Sequence, residues 1–181
     1  AQPGDVLILT KPIGLGILTT ALKQGLVDKS IEMEAVRIMA QLNQAAAECM
    51  KEVVTNACTD ITGFGLLGHL HEMTTGSGVD AQISLDAVPI IPKARELAAM
   101  NVIPGGTLNN LEFISPHVTF EDHISHVDQV ILADAQTSGG LLISLPEIEA
   151  TRLFKIMLKK GINAFKIGEI LGSGTGNIHV L

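Results

Sequence analysis

The sequence contains no Trp, no Tyr and only five Phe among its 181 residues. Unpaired nucleic acid strands are held largely on aromatic rings, so a base-stacking platform is excluded. Cationic charge is scarce as well. Twelve Lys and Arg face 19 Asp and Glu, a formal charge of −7. A surface of that sign repels phosphate backbones and anionic lipid, which argues against nucleic-acid and membrane partners. The deficit is uneven: no Lys or Arg lies between Arg95 and Arg152, while eight acids do, Asp128 and Asp134 among them. That stretch is either a solvated acidic face or a surface that meets cations or a basic neighbouring domain. Two cysteines, Cys49 and Cys58, cannot staple a secreted scaffold, and their spacing fits no metal finger. No signal peptide is visible, so the cytoplasm is the expected compartment. No apolar run approaches the roughly 18 residues of a membrane span, although mean hydropathy is +0.37.

What is present is aliphatic. Ile, Leu, Val, Ala and Met make up most of the 46% hydrophobic content, enough for one soluble domain with a real core. Asp5 to Leu9 reads as a buried strand, followed by Lys11-Pro12 and a Gly-rich entry into a helix ending near Gly25. Ser30 reads as the cap of a long amphipathic helix, with Val36, Met39, Ala46 and Met50 on its apolar stripe, running to about Val54. A further helix is expected from Thr62 to Gly76, a strand from Val79 to Leu85 and a short helix from Ala94 to Met100. Residues 101–120 read as loop, given Pro104-Gly105-Gly106, Asn109-Asn110 and Ser115-Pro116. Gly140 to Leu145 reads as a strand, Pro146 to Gly161 as a helix, and two last strands flank Gly172–Gly176. The mixture predicts a single α+β domain: three layers, α/β/α, around a mixed sheet, partly ferredoxin-like. The sequence opens close to a strand and closes inside one, at His179-Val180-Leu181, and so reads as a piece of something larger.

Gly63-Phe64-Gly65-Leu66-Leu67-Gly68 matches G-x-G-x-x-G, but the residues before it are polar and too short for the buried strand a dinucleotide fingerprint requires. Asp60 stands just ahead of the expected helix, with Thr62 as its cap. A carboxylate there either caps the helix or holds a hard divalent ion shared with nucleotide phosphates, the amides of Gly63 and Gly65 facing the anion. Asp134-Ala135-Gln136-Thr137-Ser138-Gly139-Gly140 and Pro104-Gly105-Gly106-Thr107-Leu108-Asn109-Asn110 are tight turns or places where backbone approaches a ligand. His123 and His126 have metal-like spacing that an exposed acidic helix explains equally well. His69 and His71 lie two apart on a helix and cannot share a face. Cys58 has no activating cation in sight.

Taken together, these motifs resemble the selenophosphate synthetase (selenide, water dikinase) family. Cys58-Thr59-Asp60-Ile61-Thr62-Gly63-Phe64-Gly65-Leu66-Leu67-Gly68-His69 is similar to that family's T-D-[IV]-T-G-F-G-L-L-G-H signature. Pro104-Gly105-Gly106-Thr107 with Asn110 resembles P-G-G-T-x-x-N, and Gln136-Thr137-Ser138-Gly139-Gly140-Leu141-Leu142 resembles D-P-Q-T-S-G-G-L-L; Gly4 to Pro12 fits as well. The resemblance covers essentially the whole chain, as the C-terminal domain of a two-domain enzyme in the aminoimidazole-ribonucleotide synthetase superfamily.

The resemblance implies a kinase that converts ATP, selenide and water to selenophosphate, AMP and phosphate with Mg²⁺. It implies a missing N-terminal half carrying the Cys or selenocysteine, its Lys partner, a Gly-rich loop, further Mg²⁺ carboxylates and homodimer-forming strands. This chain would then hold no catalytic residue and be inactive alone. Asp60 would be its one metal-ligating carboxylate, with Thr62, Asn110, Thr137 and Ser138 lining the phosphate side. Three residues depart from the family: Ala135 for Pro, Asn109 for Arg and Leu15 for Thr. Two alternatives stand beside this reading: another ATP-using member of the superfamily, or a non-catalytic docking domain.

Overall fold

All five residues of the first strand, β1 (Asp5–Leu9), are buried, because the strand has helices over both faces. Val6 and Ile8 point into a cluster of ten buried residues on one side, Leu7 and Leu9 into a cluster of 35 on the other. A run of consecutive apolar residues is what such a doubly covered strand requires. The computed structural model describes all 181 residues.

The larger cluster is built on α1 (Leu15–Lys23), α2 (Lys29–Ala40), α4 (Gly65–Ser77), α5 (Pro92–Ala99), α6 (Gly105–Ile114) and α7 (His126–Leu132). The smaller is closed by α3 (Gln44–Met50) and α8 (Glu147–Lys159), through Ala46, Cys49, Ala150, Leu153 and Met157. Between them lies one seven-stranded sheet of β1, β2 (Ala57–Asp60), β3 (Val79–Ile83), β4 (Val118–Phe120), β5 (Leu141–Pro146), β6 (Phe165–Ser173) and β7 (Ile178–Val180). Its order is β2-β5-β1-β6-β3-β7-β4. The pairs from β2 to β3 are antiparallel, whereas β3–β7 and β7–β4 are parallel. This is the expected three-layer α+β arrangement on a mixed sheet.

Several expectations are corrected. The long helix from Ser30 to Val54 is two helices, and its cap is Asp28, whose carboxylate accepts from the amides of Ser30 and Ile31. α2 ends at Gln41, which is extended (φ −67°, ψ 116°), and the carbonyls of Met39 and Gln41 are taken by Ser138 Oγ and Lys11 Nζ. α2 buries Ala35 and Ile38, leaving Val36 exposed. Residues 101–120 are not loop. They form α6, a single 3₁₀ turn and β4, because Thr107, Leu111 and Ile114 recur at helical spacing and are all buried. Residues 57–60 do form a strand, but an antiparallel edge strand on β5, so topology rather than the lack of a strand excludes the dinucleotide fold. The two last strands, β6 and β7, are separated in the sheet by β3.

Candidate functional site

Asp60 ends β2 opposite Leu141, its side chain exposed and free of any hydrogen bond or ion pair. It caps nothing: α4 begins only at Gly65, with Phe64 at the cap position. The turn between them is tied to residues 136–140. Ile61 N donates to Gly140 O at 2.8 Å, and Thr62 O accepts from Gln136 N (2.9 Å) and Gly65 N (3.1 Å). The amide of Gly65 is therefore spent on the turn, while that of Gly63 donates to nothing. The approach is close enough to demand glycine at 139, where a Cβ would stand 2.2 Å from Ile61 O. Asn110 clamps the same turn from α6, its Nδ2 donating to Gly63 O (2.8 Å) and Ala133 O (3.1 Å). The fold thus brings Asp60, Thr62, Thr137 and Ser138 onto adjoining turns, with Asn110 reaching in from behind.

These side chains differ in what they already bond. Asn110 Nδ2 is taken up by the two carbonyls it clamps. Ser138 lies in the left-handed region (φ +56°), and its hydroxyl is spent on Met39 O at 2.8 Å. Thr62 does not cap α4; its Oγ1 lies 3.0 Å from His69 Nε2, and His69 Nδ1 lies 3.0 Å from Glu72 Oε2. Thr137 is exposed and keeps its hydroxyl free.

What the 137–140 loop offers is backbone. Ser138 O accepts from Lys11 Nζ (2.8 Å) and Gly139 O from Asn43 Nδ2 (2.9 Å), so both carbonyls are held toward the α2–α3 break. The amides of Thr137, Ser138, Gly139 and Gly140 donate to no acceptor in the chain. Successive free amides of this kind make an anion-binding concavity. Lys11, only 3% exposed and donating to two neutral carbonyls, has its pKa lowered by desolvation.

Sequence reasoning missed a buried layer behind this loop. Gln136 Oε1 accepts from Gly14 N and Leu15 N, and Asp134 Oδ2 from Gly16 N and Ile17 N, so the first-turn amides of α1 are capped by residues distant in sequence. Thr107 Oγ1 donates to Asp134 Oδ1 at 2.9 Å. Burial pushes the Asp134 carboxyl up to about 6 against the pull of those hydrogen bonds. No local spacing points at this partnership; the one signal was that polar residues crowd an otherwise apolar stretch. His123 and His126 build no site, and no group of three or more His, Cys, Asp or Glu gathers to hold a metal ion. The Cys58 thiol is pushed up to about 11, by desolvation first and the charge of Asp60 second, and so stays protonated at neutral pH.

Comparison with known proteins gives this geometry a context. Residues 2–181 match the family model described as AIR synthase related protein, C-terminal domain. The chain is 48% identical over 182 residues to selenide, water dikinase 2 of Peptoclostridium acidaminophilum, covering 100% of this chain and 52% of the relative. It is 46% identical over 172 residues to a selenide, water dikinase of Carboxydothermus hydrogenoformans, covering 95% and 50%. Among solved structures, hydrogenase maturation protein HypE in complex with ATP aligns with a TM-score of 0.71 at 18% identity, over 99% of this chain and 48% of that one. Thiamine-monophosphate kinase from Stenotrophomonas maltophilia K279a aligns at 0.66 and 16%, over 99% and 51%. At those identities the likeness is one of fold. The chain spans about half the length of the curated relatives it matches.

Proposed function

Because the chain belongs to the AIR synthase related family, as its C-terminal domain, and its curated relatives are selenide, water dikinases, we propose that it is the C-terminal half of an ATP-dependent selenophosphate synthetase. The whole enzyme would consume ATP, selenide and water and release selenophosphate, AMP and phosphate, as a cytoplasmic homodimer. The observation that carries this reading is the juxtaposition at the end of β2: one unclaimed carboxylate, Asp60, on a turn joined to a loop with four unclaimed amides.

The donor set fits a shared Mg²⁺ and no more. Mg²⁺ takes one or two protein carboxylates together with phosphate oxygens. Asp60 would be the ligand this half contributes, the others coming from the N-terminal half and the nucleotide. When bound, the ion supplies positive charge to phosphate oxygens in a chain that is itself acidic. The chain's own part is positioning. Lys11 and Asn43 fix the loop by its carbonyls, leaving the amides of residues 137–140 free to donate to phosphate oxygens, and Thr137 adds a hydroxyl. Ser138 and Asn110 shape that wall through their own hydrogen bonds instead of touching the anion. Fixed donors of this sort stabilise developing charge without reorganising. The selenide-handling nucleophile would lie in the N-terminal half, and this chain would be inactive alone.

The test uses the full-length protein. Asp60→Asn should lower Mg²⁺-dependent ATP consumption by at least 100-fold while leaving the far-UV spectrum and melting temperature unchanged. Activity equal to wild type would remove Asp60 from the metal site. ATP consumption that does not depend on selenide would assign the chain to another ATP-using member of the family. Binding of another protein in place of nucleotide would make it a docking domain.

A further inference from the structure

The hydrogen bonds from Thr62 to Glu72 have a direction that chemistry alone fixes. A carboxylate oxygen only accepts, so His69 Nδ1 carries the proton it shares with Glu72 Oε2 at 3.0 Å. In the neutral imidazole, Nε2 is then a bare acceptor, and the Thr62 hydroxyl 3.0 Å away must donate to it. The lone pairs of Thr62 Oγ1 are left to accept a proton from elsewhere. A hydroxyl bonded to a histidine whose other nitrogen is held by a carboxylate is the arrangement that general-base catalysis uses.

We propose that Thr62, His69 and Glu72 form a proton relay that receives the proton of the water consumed in the reaction; the inference rests on the proposed function above. His69, at the centre of the relay, is only 8% exposed, with the ring of Phe64 5.6 Å from it, while Glu72 at the far end is open to solvent. Thr62 lies two residues after Asp60, on the turn whose carbonyl accepts from Gln136 N, which places it beside both the free carboxylate and the 137–140 loop. Ionisable groups on the elements packed against α4 are Cys58 and Asp60 on β2, Asp80 on β3, Glu112 on α6, His126 and Asp128 on α7 and His179 on β7. Neighbouring His71, on α4 itself, is bonded to Gly176 O and stacked on His117. Glu72 alone among the ionisable groups is hydrogen-bonded to the His69 ring.

The step balances as follows. The water oxygen forms a bond to a phosphoanhydride phosphorus, and the bridging P–O bond breaks with its electron pair left on the departing AMP oxygen. One water proton passes to Thr62 Oγ1 as the Thr62 proton passes to His69 Nε2. The resulting imidazolium is held by Glu72 and returns the proton by the same route to phosphate or solvent. Glu72 is a positioning residue, acting only through His69.

The test is made on full-length protein. Thr62→Val should lower kcat by about 100-fold or more with KM for ATP within about twofold, and Thr62→Ser should restore most of it. Glu72→Gln should lower kcat less and move the acid limb of the pH–rate profile to lower pH, because the imidazolium loses its carboxylate. Selective ¹⁵N labelling of histidine should show His69 protonated on Nδ1 and bare on Nε2 at neutral pH. A Thr62→Val enzyme with wild-type kcat, an unmoved acid limb in Glu72→Gln, or an Nε2-protonated His69 would each overturn the relay. A protein whose ATP consumption ignores selenide would sink the preceding reading instead, and the tautomer would still decide whether the relay exists.

Discussion

Asp134 shows how a single buried carboxyl serves the site without touching it. It accepts from two α1 amides, from Thr107 and from Gln136 Nε2, and so fixes the segment that leads into the 137–140 loop. Its folded pKa, about 6, lies above the usual 3.8, so between those values the folded chain binds more protons than the unfolded one. Stability from this group is therefore full below about pH 4, falls as pH rises toward 6, and stays flat above. Asn can keep the Oδ2 acceptor and present an amide to the Thr107 hydroxyl. Asp134→Asn should consequently gain on wild type by on the order of 1–3 kcal/mol between pH 4 and pH 6.5, read by urea denaturation at each pH. A constant difference across that range would mean that the hydrogen bonds outweigh burial. Gln136 is a neighbour in sequence, but Gly16 and Thr107 reach Asp134 only in the fold.

At the scale of elements, the site depends on how closely β2 and the 137–140 loop approach. Gly139→Ala would push a methyl to 2.2 Å from the Ile61 carbonyl, and neither backbone can yield without breaking the Ile61 N–Gly140 O bond. The expected cost is about 1–3 kcal/mol, measurable by thermal melting, with a larger loss of nucleotide affinity in the full-length protein than at Gly172, where a Cβ meets nothing. Equal effects at both positions would refute the close-approach argument. Elements whose signals are local were legible beforehand: β1 from its apolar run, β3 from the alternation Val79, Ala81, Ile83, and α8 from its proline-led start. α6 was hidden because Gly105, Gly106 and two asparagines mask a stripe of three buried residues. The break after α2 was hidden for the opposite reason. Its sequence continues a helical pattern, and only Lys11 and Ser138, from distant segments, draw off the carbonyls at its end.

At the scale of the whole molecule, a two-faced sheet carries its candidate site at one end: one free carboxylate, free amides and a hydroxyl bonded to a histidine, with no cluster of three or more metal-ligating side chains. If the missing donors come from an N-terminal half, titration calorimetry should detect Mg²⁺–nucleotide binding to the full-length protein. This chain alone should bind at least 100-fold more weakly, with binding regained on adding the other half. Equal affinity of the chain alone would place the whole nucleotide site within it.

The sequence by itself determined the family, and it named the segments that the proposed site rests on. Asp60, the glycines after it and the Thr137–Gly140 run are fixed by backbone geometry and chemistry that leave a local imprint, and the alternation and length of the apolar runs set the layers. The tertiary structure decided which atoms do what. Thr62 lost its expected role as a cap and gained His69 as a partner, Ser138 and Asn110 turned inward to hold the backbone, and Lys11 and Asp134 became the supports of the loop. Those assignments come from hydrogen bonds between residues that are often about a hundred positions apart, and no local pattern can carry them. The scarcity of cations takes a structural form at this loop: its only lysine is buried and bonded to two neutral carbonyls, so the unclaimed donors that remain there are backbone amides.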